Sequence, residues 1–484
     1  MSTRRLQRRT LVSSITGAVI VALDGTVLTV AQPTVQEDLD ASFVQVQWAG
    51  TGYLIAVAGL LVFAGRLGDR YGHRRVFALG VLGFAATSAG IGLAPDIRWV
   101  IGLRVAQGVS GALLQPATLG MLRAVYPRDR LGAPIALRTS AIGLAVAAGP
   151  VLGGALAAHL GWRAVFFLNV APALAACALV FAVRIPAPHD PPPAVRLDLP
   201  GACLFTVALS GLVNTLVGVP EDGWTPVTAL GLAAAVAAGA AFVRHERRTA
   251  SPLIPPDVLR SPVVAPALGI LVTVSAALFG ALFLGTYYLQ DVLALDPLRS
   301  GLETLPLAVM MILCAPASAA LTRRLGTRRT AATGAALVTL GVLLMSRLDE
   351  ASGTAAIGTC FLLLGAGFGT VMVTATAAIV HQASVHTAGV AGGLQQTALN
   401  LGPTLGVAAA TMLMTAFTAP VPGGGPRVAG PSFVTAMGPT LATLAAAAAV
   451  GVLLALRLPS RTAERAAAET PEPLPAAPAR HPGP

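Results

Sequence analysis

The chain of 484 residues is 55% hydrophobic and only 11% charged, and its formal net charge is +11. A soluble protein of this length needs a far more charged surface, so the composition excludes a soluble globular domain and predicts a membrane protein. The chain contains no lysine, which excludes a P-loop ATPase because the phosphate loop of such enzymes ends in Gly-Lys-Ser/Thr. We therefore expect an ion gradient to drive any transport.

Apolar runs of about 20 residues, the length that crosses a bilayer, recur along the whole chain. They predict an all-α polytopic membrane protein with fourteen transmembrane helices. The predicted spans are 11–31, 46–64, 76–94, 97–119, 133–157, 164–183, 199–219, 226–243, 263–289, 302–321, 330–345, 354–379, 388–414 and 433–456. The four cysteines all lie in these spans, where packing is the ordinary role, and we expect no metal and no cofactor.

Arginine clusters occupy alternate connections between the spans. They lie at 4–9, 66–75, 123–130, 244–260, 323–329 and 457–465, whereas the opposite loops are short and mostly acidic. We call the side that carries these clusters the arginine-rich side. The positive-inside rule predicts that it is cytoplasmic and that both termini lie there, in a bacterial plasma membrane. The net positive charge therefore reflects topology, and no nucleic-acid partner is expected.

Two motifs repeat at nearly the same offset. The loop 65–75 and the loop 319–329 share Leu, Arg, Gly and Arg-Arg, with Arg323 at the position of Asp69. Gly-Pro-x-Leu-Gly occurs at 149–153 and again at 402–406. The repeat predicts two six-helix units, residues 1–185 and 261–458. Between them lies a linker with two inserted helices (186–260), and residues 459–484 form a disordered tail.

Asp24 lies well inside the first predicted span, and Arg104 lies within the fourth. A charge buried in a membrane is costly enough to indicate function, and burial makes Asp24 a candidate proton carrier. Both residues lie seven positions from the outer ends of their spans, so they share a depth of about 10 Å and can touch. A fixed structural ion pair is the alternative for Asp24, and a helix-holding role is the alternative for Arg104.

Several segments resemble motifs of the major facilitator superfamily. The loop 65–75 resembles its loop signature, 103–112 resembles the arginine motif of its fourth helix, and 143–154 resembles its antiporter motif. The segment 23–33 resembles the first-helix motif of the fourteen-helix drug/proton antiporters (EmrB/QacA type), although Thr29 and Gln32 depart from it. The resemblance implies the major facilitator fold, two six-helix bundles plus two inserted helices.

The same resemblance assigns roles to individual residues. It implies a gating loop made of Gly65, Asp69, Arg70, Gly72, Arg74 and Arg75, for which simple topogenic charge is the alternative. It implies an antiporter motif at Gly149, Pro150, Gly153 and Gly154, for which ordinary helix packing is equally open. Polar residues in the spans give a possible substrate cavity, namely Thr26, Gln107, Gln395, Gln396 and Asn400. The last three could instead bond to neighbouring helices.

The predicted function is proton-coupled export of small hydrophobic or cationic compounds, as in multidrug or antibiotic efflux, by a monomer. An importer of the same fold is one alternative, and a non-transporting membrane sensor or scaffold is another. An enzyme is not expected, because no buried His/Ser/Asp or metal-binding cluster is evident in the sequence.

The arginine asymmetry makes a direct topological prediction. Reporter fusions at Ser2 and after Pro459 should both read cytoplasmic, because an even number of spans returns the chain to its starting side. An external reading at the second site would make the number of spans odd and contradict the two-unit repeat.

Overall fold

The structure is a computed structural model and describes residues 3–41, 43–127, 130–182, 197–222, 225–249, 252–254, 256–295, 297–383, 387–417 and 431–461. Helices account for nearly all of these residues, and the described ranges contain no β-strand. The predicted all-helical architecture is confirmed. Most of the predicted linker (186–196) and the tail beyond 461 lie outside the described residues.

The first set of helices runs from α1 to α7. Their bounds are α1 Thr3–Asp38, α2 Phe43–Tyr71, α3 His73–Gly92, α4 Ile97–Val125, α5 Gly132–Leu160, α6 Trp162–Phe167 and α7 Val170–Phe181. The predicted sixth span, 164–183, is therefore two helices, because the α-helix is interrupted at Leu168 and Asn169. Helix α1, Thr3–Asp38, also extends beyond the predicted span 11–31 at both ends.

Two helices, α8 and α9, separate this set from a second one. The remaining bounds are α8 Leu199–Asp222, α9 Pro226–Glu246, α10 Pro256–Arg260, α11 Val264–Tyr287 with a π-helical turn at Tyr288–Val292, α12 Pro297–Leu325, α13 Thr327–Met345, α14 Thr354–Gln382, α15 Ala388–Phe417 and α16 Pro431–Leu456. Within the described ranges, nine segments are long and apolar enough to cross a membrane by length and composition.

The same helix pairs pack in both sets. Helix α4 packs on α2 and α3 while α1 packs on α5, and correspondingly α14 packs on α12 and α13 while α11 packs on α15. The sets meet through α2 with α15 and through α5 with α12 and α14. Helices α8 and α9 pack on each other, and α8 also contacts α2 and α15.

The glycine in each repeated loop has a conformational reason. Gly72 separates α2 from α3 with φ +91°, and Gly326 separates α12 from α13 with φ +84°. Residues with side chains rarely adopt this left-handed region, whereas glycine enters it freely. The repeated glycine therefore permits the same sharp turn between consecutive helices in both sets.

Contacts between the two sets concentrate on the arginine-rich side. Gly65 of α2 lies against Gly389 of α15, and a Cβ on either glycine would collide with the carbonyl oxygen of the other. Ser140 of α5 donates to the carbonyl oxygen of Ile312 at 3.0 Å, and Arg123 of α4 donates to that of Ala383 at 3.2 Å. The structure thus joins the two sets at this end.

Candidate proton-coupling site

A buried ion pair links α1 and α4. Arg104 Nη1 donates to Asp24 Oδ2 at 2.6 Å, and the side chains of both residues are 2% exposed. Asp24 and Arg104, which the sequence predicts to lie at one depth, are therefore in direct contact. Breaking a buried pair by removing one partner costs about 3–5 kcal/mol, because the other charge is left without compensation.

Two amides complete the coordination of the carboxylate. Asn169 donates to Asp24 Oδ1 at 2.9 Å, and Gln107 donates to the same oxygen at 3.2 Å. Gln107 also donates to Ser88 Oγ at 2.8 Å, and its carbonyl oxygen accepts from Arg104 Nη1 at 2.6 Å. Each oxygen of Asp24 thus has at least one donor, as a buried ionised carboxylate requires.

The arginine is held on its other faces by α2. Arg104 Nε donates to the carbonyl oxygen of Ala49 at 3.1 Å. Its Cζ lies 4.3 Å from the centroid of the Tyr53 ring, which is a cation–π distance. The hydroxyl of Tyr53 is buried and has no hydrogen-bond partner within the described part of the chain. The guanidinium is thereby fixed by an anion, an amide, a carbonyl and an aromatic face.

The interruption between α6 and α7 positions one of these ligands. Asn169 lies in the two-residue turn where helical bonding stops, and its side chain is 3% exposed. None of the sequence motifs described above assigns a role to Asn169, Ser88 or Tyr53. The available signal was a polar residue inside an apolar run, the same signal that identified Asp24.

The gating-loop carboxylate bridges the two sets of helices. Asp69, at the end of α2, accepts from the backbone N–H of Gly389 at 2.7 Å and of Val390 at 3.1 Å. These are N–H groups of the first turn of α15, which have no partner inside their own helix. A carboxylate at a helix N-terminus is also favoured by the helix dipole. His73 Nε2 lies 3.4 Å from Asp69 Oδ1.

The other gating-loop residues surround this contact in different ways. Arg66 donates through Nε to the carbonyl oxygen of Leu253 at 2.8 Å and also bonds to that of Pro252. The Arg70 guanidinium lies 5.2 Å from the Tyr71 ring centroid. Arg70, Gly72 and Arg75 are exposed, and Arg74 is partly buried. In the repeated loop, the position of Asp69 is taken by Arg323, which is exposed. The second set therefore has no carboxylate at this position that could bond to the N-terminus of α5, as Asp69 bonds to that of α15.

The remaining predicted residues fall elsewhere. In α5, Gly149 and Gly153 are buried and Gly154 is partly buried, whereas the side chains of Pro150 and of Thr26 in α1 lie outside the described residues. In α15, Gln395 donates to Thr376 Oγ1 at 3.0 Å, and Asn400 donates to the backbone carbonyl of Gln396 at 2.9 Å. The Oε1 atoms of Gln395 and Gln396 have no partner in the described chain. These amides belong to the second set of helices, apart from the Asp24 site.

A second carboxylate ties the far end of α1 to α6. Asp38 Oδ2 accepts from Trp162 Nε1 at 3.0 Å and pairs with Arg163. The hydrogen bond from Trp162, followed by that from Arg163, holds the pKa of Asp38 below its ordinary value. Trp162 is buried, so this tryptophan serves the helix junction and does not face lipid. Among the described residues, no group of three or more His, Cys, Asp or Glu could hold a metal ion.

A family model described as the Major Facilitator Superfamily matches residues 15–407. The chain belongs to the major facilitator superfamily. A relative in Streptomyces glaucescens, the "Tetracenomycin C resistance and export protein", is 41% identical over 84% of this chain and 75% of the relative. The "Puromycin resistance protein pur8" of Streptomyces alboniger is 34% identical over 84% of this chain and 82% of its own length.

Solved structures agree with this family assignment at the level of the fold. The human organic anion transporter MFSD10 superposes with a TM-score of 0.63 and 14% identity, covering 94% of this chain and 100% of that one. The proton:xylose symporter XylE superposes with a TM-score of 0.64 and 14% identity, covering 95% of this chain and 97% of that one. The predicted major facilitator fold is confirmed.

The coordination of Asp24 predicts the effect of removing one donor. Asn169→Leu should lower the free energy of unfolding by about 1–3 kcal/mol, because a buried carboxylate loses a hydrogen bond. The measurement is the melting temperature of the purified protein in detergent. Asn400→Leu is the matched control, since that amide bonds only to its own helix backbone. Equal melting temperatures for the two variants would contradict the assigned coordination.

The contact of Asp69 predicts a shift between conformations. Asp69→Asn should weaken the contact between α2 and α15 by about 0.3–1 kcal/mol, because asparagine keeps an acceptor but loses the charge at the helix N-terminus. A cysteine replacing Ser140, in a variant without the four native cysteines, should then be alkylated about 2–5-fold faster.

Asp96→Asn is the control for this shift, because Asp96 caps its own helix α4 with the same pattern, accepting from Arg98 N at 2.8 Å and Trp99 N at 3.1 Å. An alkylation rate in Asp69→Asn equal to that in Asp96→Asn would show that Asp69 does not hold the two sets of helices together.

Proposed function

We propose that this protein is a proton-coupled exporter of small, largely hydrophobic organic compounds, antibiotics among them. Its relatives are named as antibiotic resistance, multidrug resistance and export proteins, which supports drug efflux within the major facilitator superfamily. The observation that carries proton coupling is the Asp24–Arg104 pair, a carboxylate that is buried among donors and paired with one arginine.

The pair offers two chemical states. With Arg104 and both amides in place, the carboxylate is stabilised as an anion. If a conformational change draws Arg104 away, the anion loses its main compensation in an apolar surrounding and takes up a proton. Alternation between these states is what exchange of a proton for a substrate requires. Each proton that enters gains about 2.3 kcal/mol per 100 mV of membrane potential.

The gate is proposed on the arginine-rich side. The hydrogen bonds from the first turn of α15 to Asp69 of α2 favour closure at this end, as does the close contact of Gly65 and Gly389. With that side cytoplasmic, as the positive-inside rule predicts, the structure corresponds to a state closed toward the cytoplasm. Separation of α2 from α15 and of α5 from α12 then gives the state that loads substrate from the cell.

The finer architecture is also a proposal. We assign fourteen spans, with α6 and α7 together forming one of them, as in the EmrB/QacA branch of the superfamily. The units are 1–185 and 261–458, and the segment 186–260 contributes the inserted helices α8 and α9. Support comes from the helix pairs that pack alike in both sets. The carrier is proposed to act as a monomer in the plasma membrane.

The decisive variant is Asp24→Asn, which keeps the size of the side chain but cannot carry the proton. In everted membrane vesicles with a respiratory pH gradient, adding tetracenomycin C or puromycin should partly collapse the gradient through the wild-type protein. Asp24→Asn should reduce that response at least about tenfold, since loss of a proton carrier removes coupling. Dequenching of acridine orange reports the gradient.

Glu350→Gln provides the matched control, because this carboxylate is exposed and remote from the site. It should respond as the wild type does at equal expression. If Asp24→Asn collapses the gradient as fully as Glu350→Gln, another residue carries the proton.

A further inference from the structure

Arg138 is a buried arginine that the site above does not use. It lies in α5, its side chain is 2% exposed, and it ranks with Arg104 among the largest fully buried side chains. Arg104 has an ion pair and several hydrogen bonds, whereas the described chain contains no carboxylate in ion-pair contact with Arg138. Its Nε is buried without a hydrogen-bond partner. The two arginines are equally buried, but within the described chain only Arg104 has an anion and hydrogen-bond acceptors that offset the cost of burying its charge.

The neighbours of Arg138 place it where the two sets of helices meet. Two residues before it, Ala136 packs with Ala315 of α12 and Val373 of α14. Two residues after it, Ser140 bonds to the backbone of Ile312 in α12. Arg138 therefore lies at the level where α5 packs on the second set, near the arginine-rich end of this helix.

The face of α5 that carries Arg138 also turns toward the second set. Positions three before and four after a residue share its helix face. Ile135 packs with Val380 of α14, and Ile142 packs against the core of the second set. The guanidinium thus lies in the region that opens when the two sets separate on the arginine-rich side.

An arginine cannot escape its burial by losing its proton, because its guanidinium remains charged in proteins. Ionisable residues inside membrane spans are rare and mark substrate or ion pathways by default. On α14, which contacts α5, Thr374 is buried and its hydroxyl also has no partner in the described chain. Both groups can donate hydrogen bonds, and a guanidinium makes its strongest hydrogen bonds to a negatively charged acceptor.

We propose that Arg138 is a substrate-binding residue and that the exported compounds include organic anions, such as ionised carboxylic acids or phenols. This inference rests on the proposed export function and revises the expected charge of the substrate. The acidic group pairs with Arg138 when the arginine-rich side opens. A membrane potential that is negative inside then favours both the exit of the anion and the entry of the proton.

Two dyes that share the xanthene ring system test the assignment, anionic fluorescein and cationic rhodamine 6G. Binding to the purified full-length protein in detergent is measured by fluorescence anisotropy. The wild type should bind fluorescein, and Arg138→Gln should weaken that binding at least about tenfold, because a charge-assisted pair is lost. Arg138→Lys should retain most of it. Rhodamine 6G binding should not weaken in Arg138→Gln.

Arg98→Gln controls for a general loss of positive charge, since Arg98 is exposed at the start of α4. It should bind both dyes as the wild type does. Because Arg138 has no ion pair and no hydrogen bond to lose within the described chain, Arg138→Gln should melt at or above the wild-type temperature. A lower melting temperature or failure to fold would indicate a structural role and overturn the proposal.

The remaining outcomes separate this inference from the exporter function. A wild type that does not bind fluorescein, or an Arg138→Gln variant that binds it equally well, overturns the anion site. If rhodamine 6G is still exported in exchange for protons, the proposed function survives that failure. Fluorescein binding that depends on Arg138, without any proton-coupled efflux, would support the site and overturn the proposed function.

Discussion

The organisation of the first set of helices depends on one buried charge pair. Asp24 comes from α1 and Arg104 from α4, and the groups that surround them come from α2, α3 and the junction of α6 and α7. In a protein whose solvent is largely lipid, apolar burial alone does not specify which helix faces which. A paired charge with directed donors does, because every alternative arrangement leaves a buried polar group unsatisfied. The pair therefore fixes helix rotation as well as supplying chemistry.

The two sets of helices share a packing plan but not a chemistry. Asp69 reaches across to α15, while Arg323 at the repeated position is exposed and α5 begins without a carboxylate. The first set likewise carries Asp24 and Arg104, whereas α15 contributes the amides of Gln395 and Asn400. This asymmetry suits a carrier in which one set binds the proton and holds the gate. The other set then supplies the surface against which the first one moves.

Hydropathy and the repeated motifs were sufficient for the fold, because lipid imposes a strong length rule on helices. The charges at Asp24 and Arg104 were equally visible, since any charge stands out in an apolar run. The ligands from other helices were not predictable. Asn169 acts through a break in a helix that hydropathy reads as continuous, and the partners of Asp69 lie on a helix about three hundred residues away. Arg138 lies inside the predicted span 133–157 and is as visible as Arg104, but the sequence does not show that it lacks a partner.

The hydrogen bond from α15 to Asp69 joins two parts of the chain that are synthesised at different times. The carboxylate and the N–H of Gly389 are 320 residues apart in the chain. Membrane proteins are made from the N-terminus, so the first set of helices is complete long before the partner of Asp69 exists. Until then Asp69 and the surface around Gly65 face water or the insertion machinery. The nascent first set of helices must therefore persist without this contact, which forms only after α15 has been synthesised.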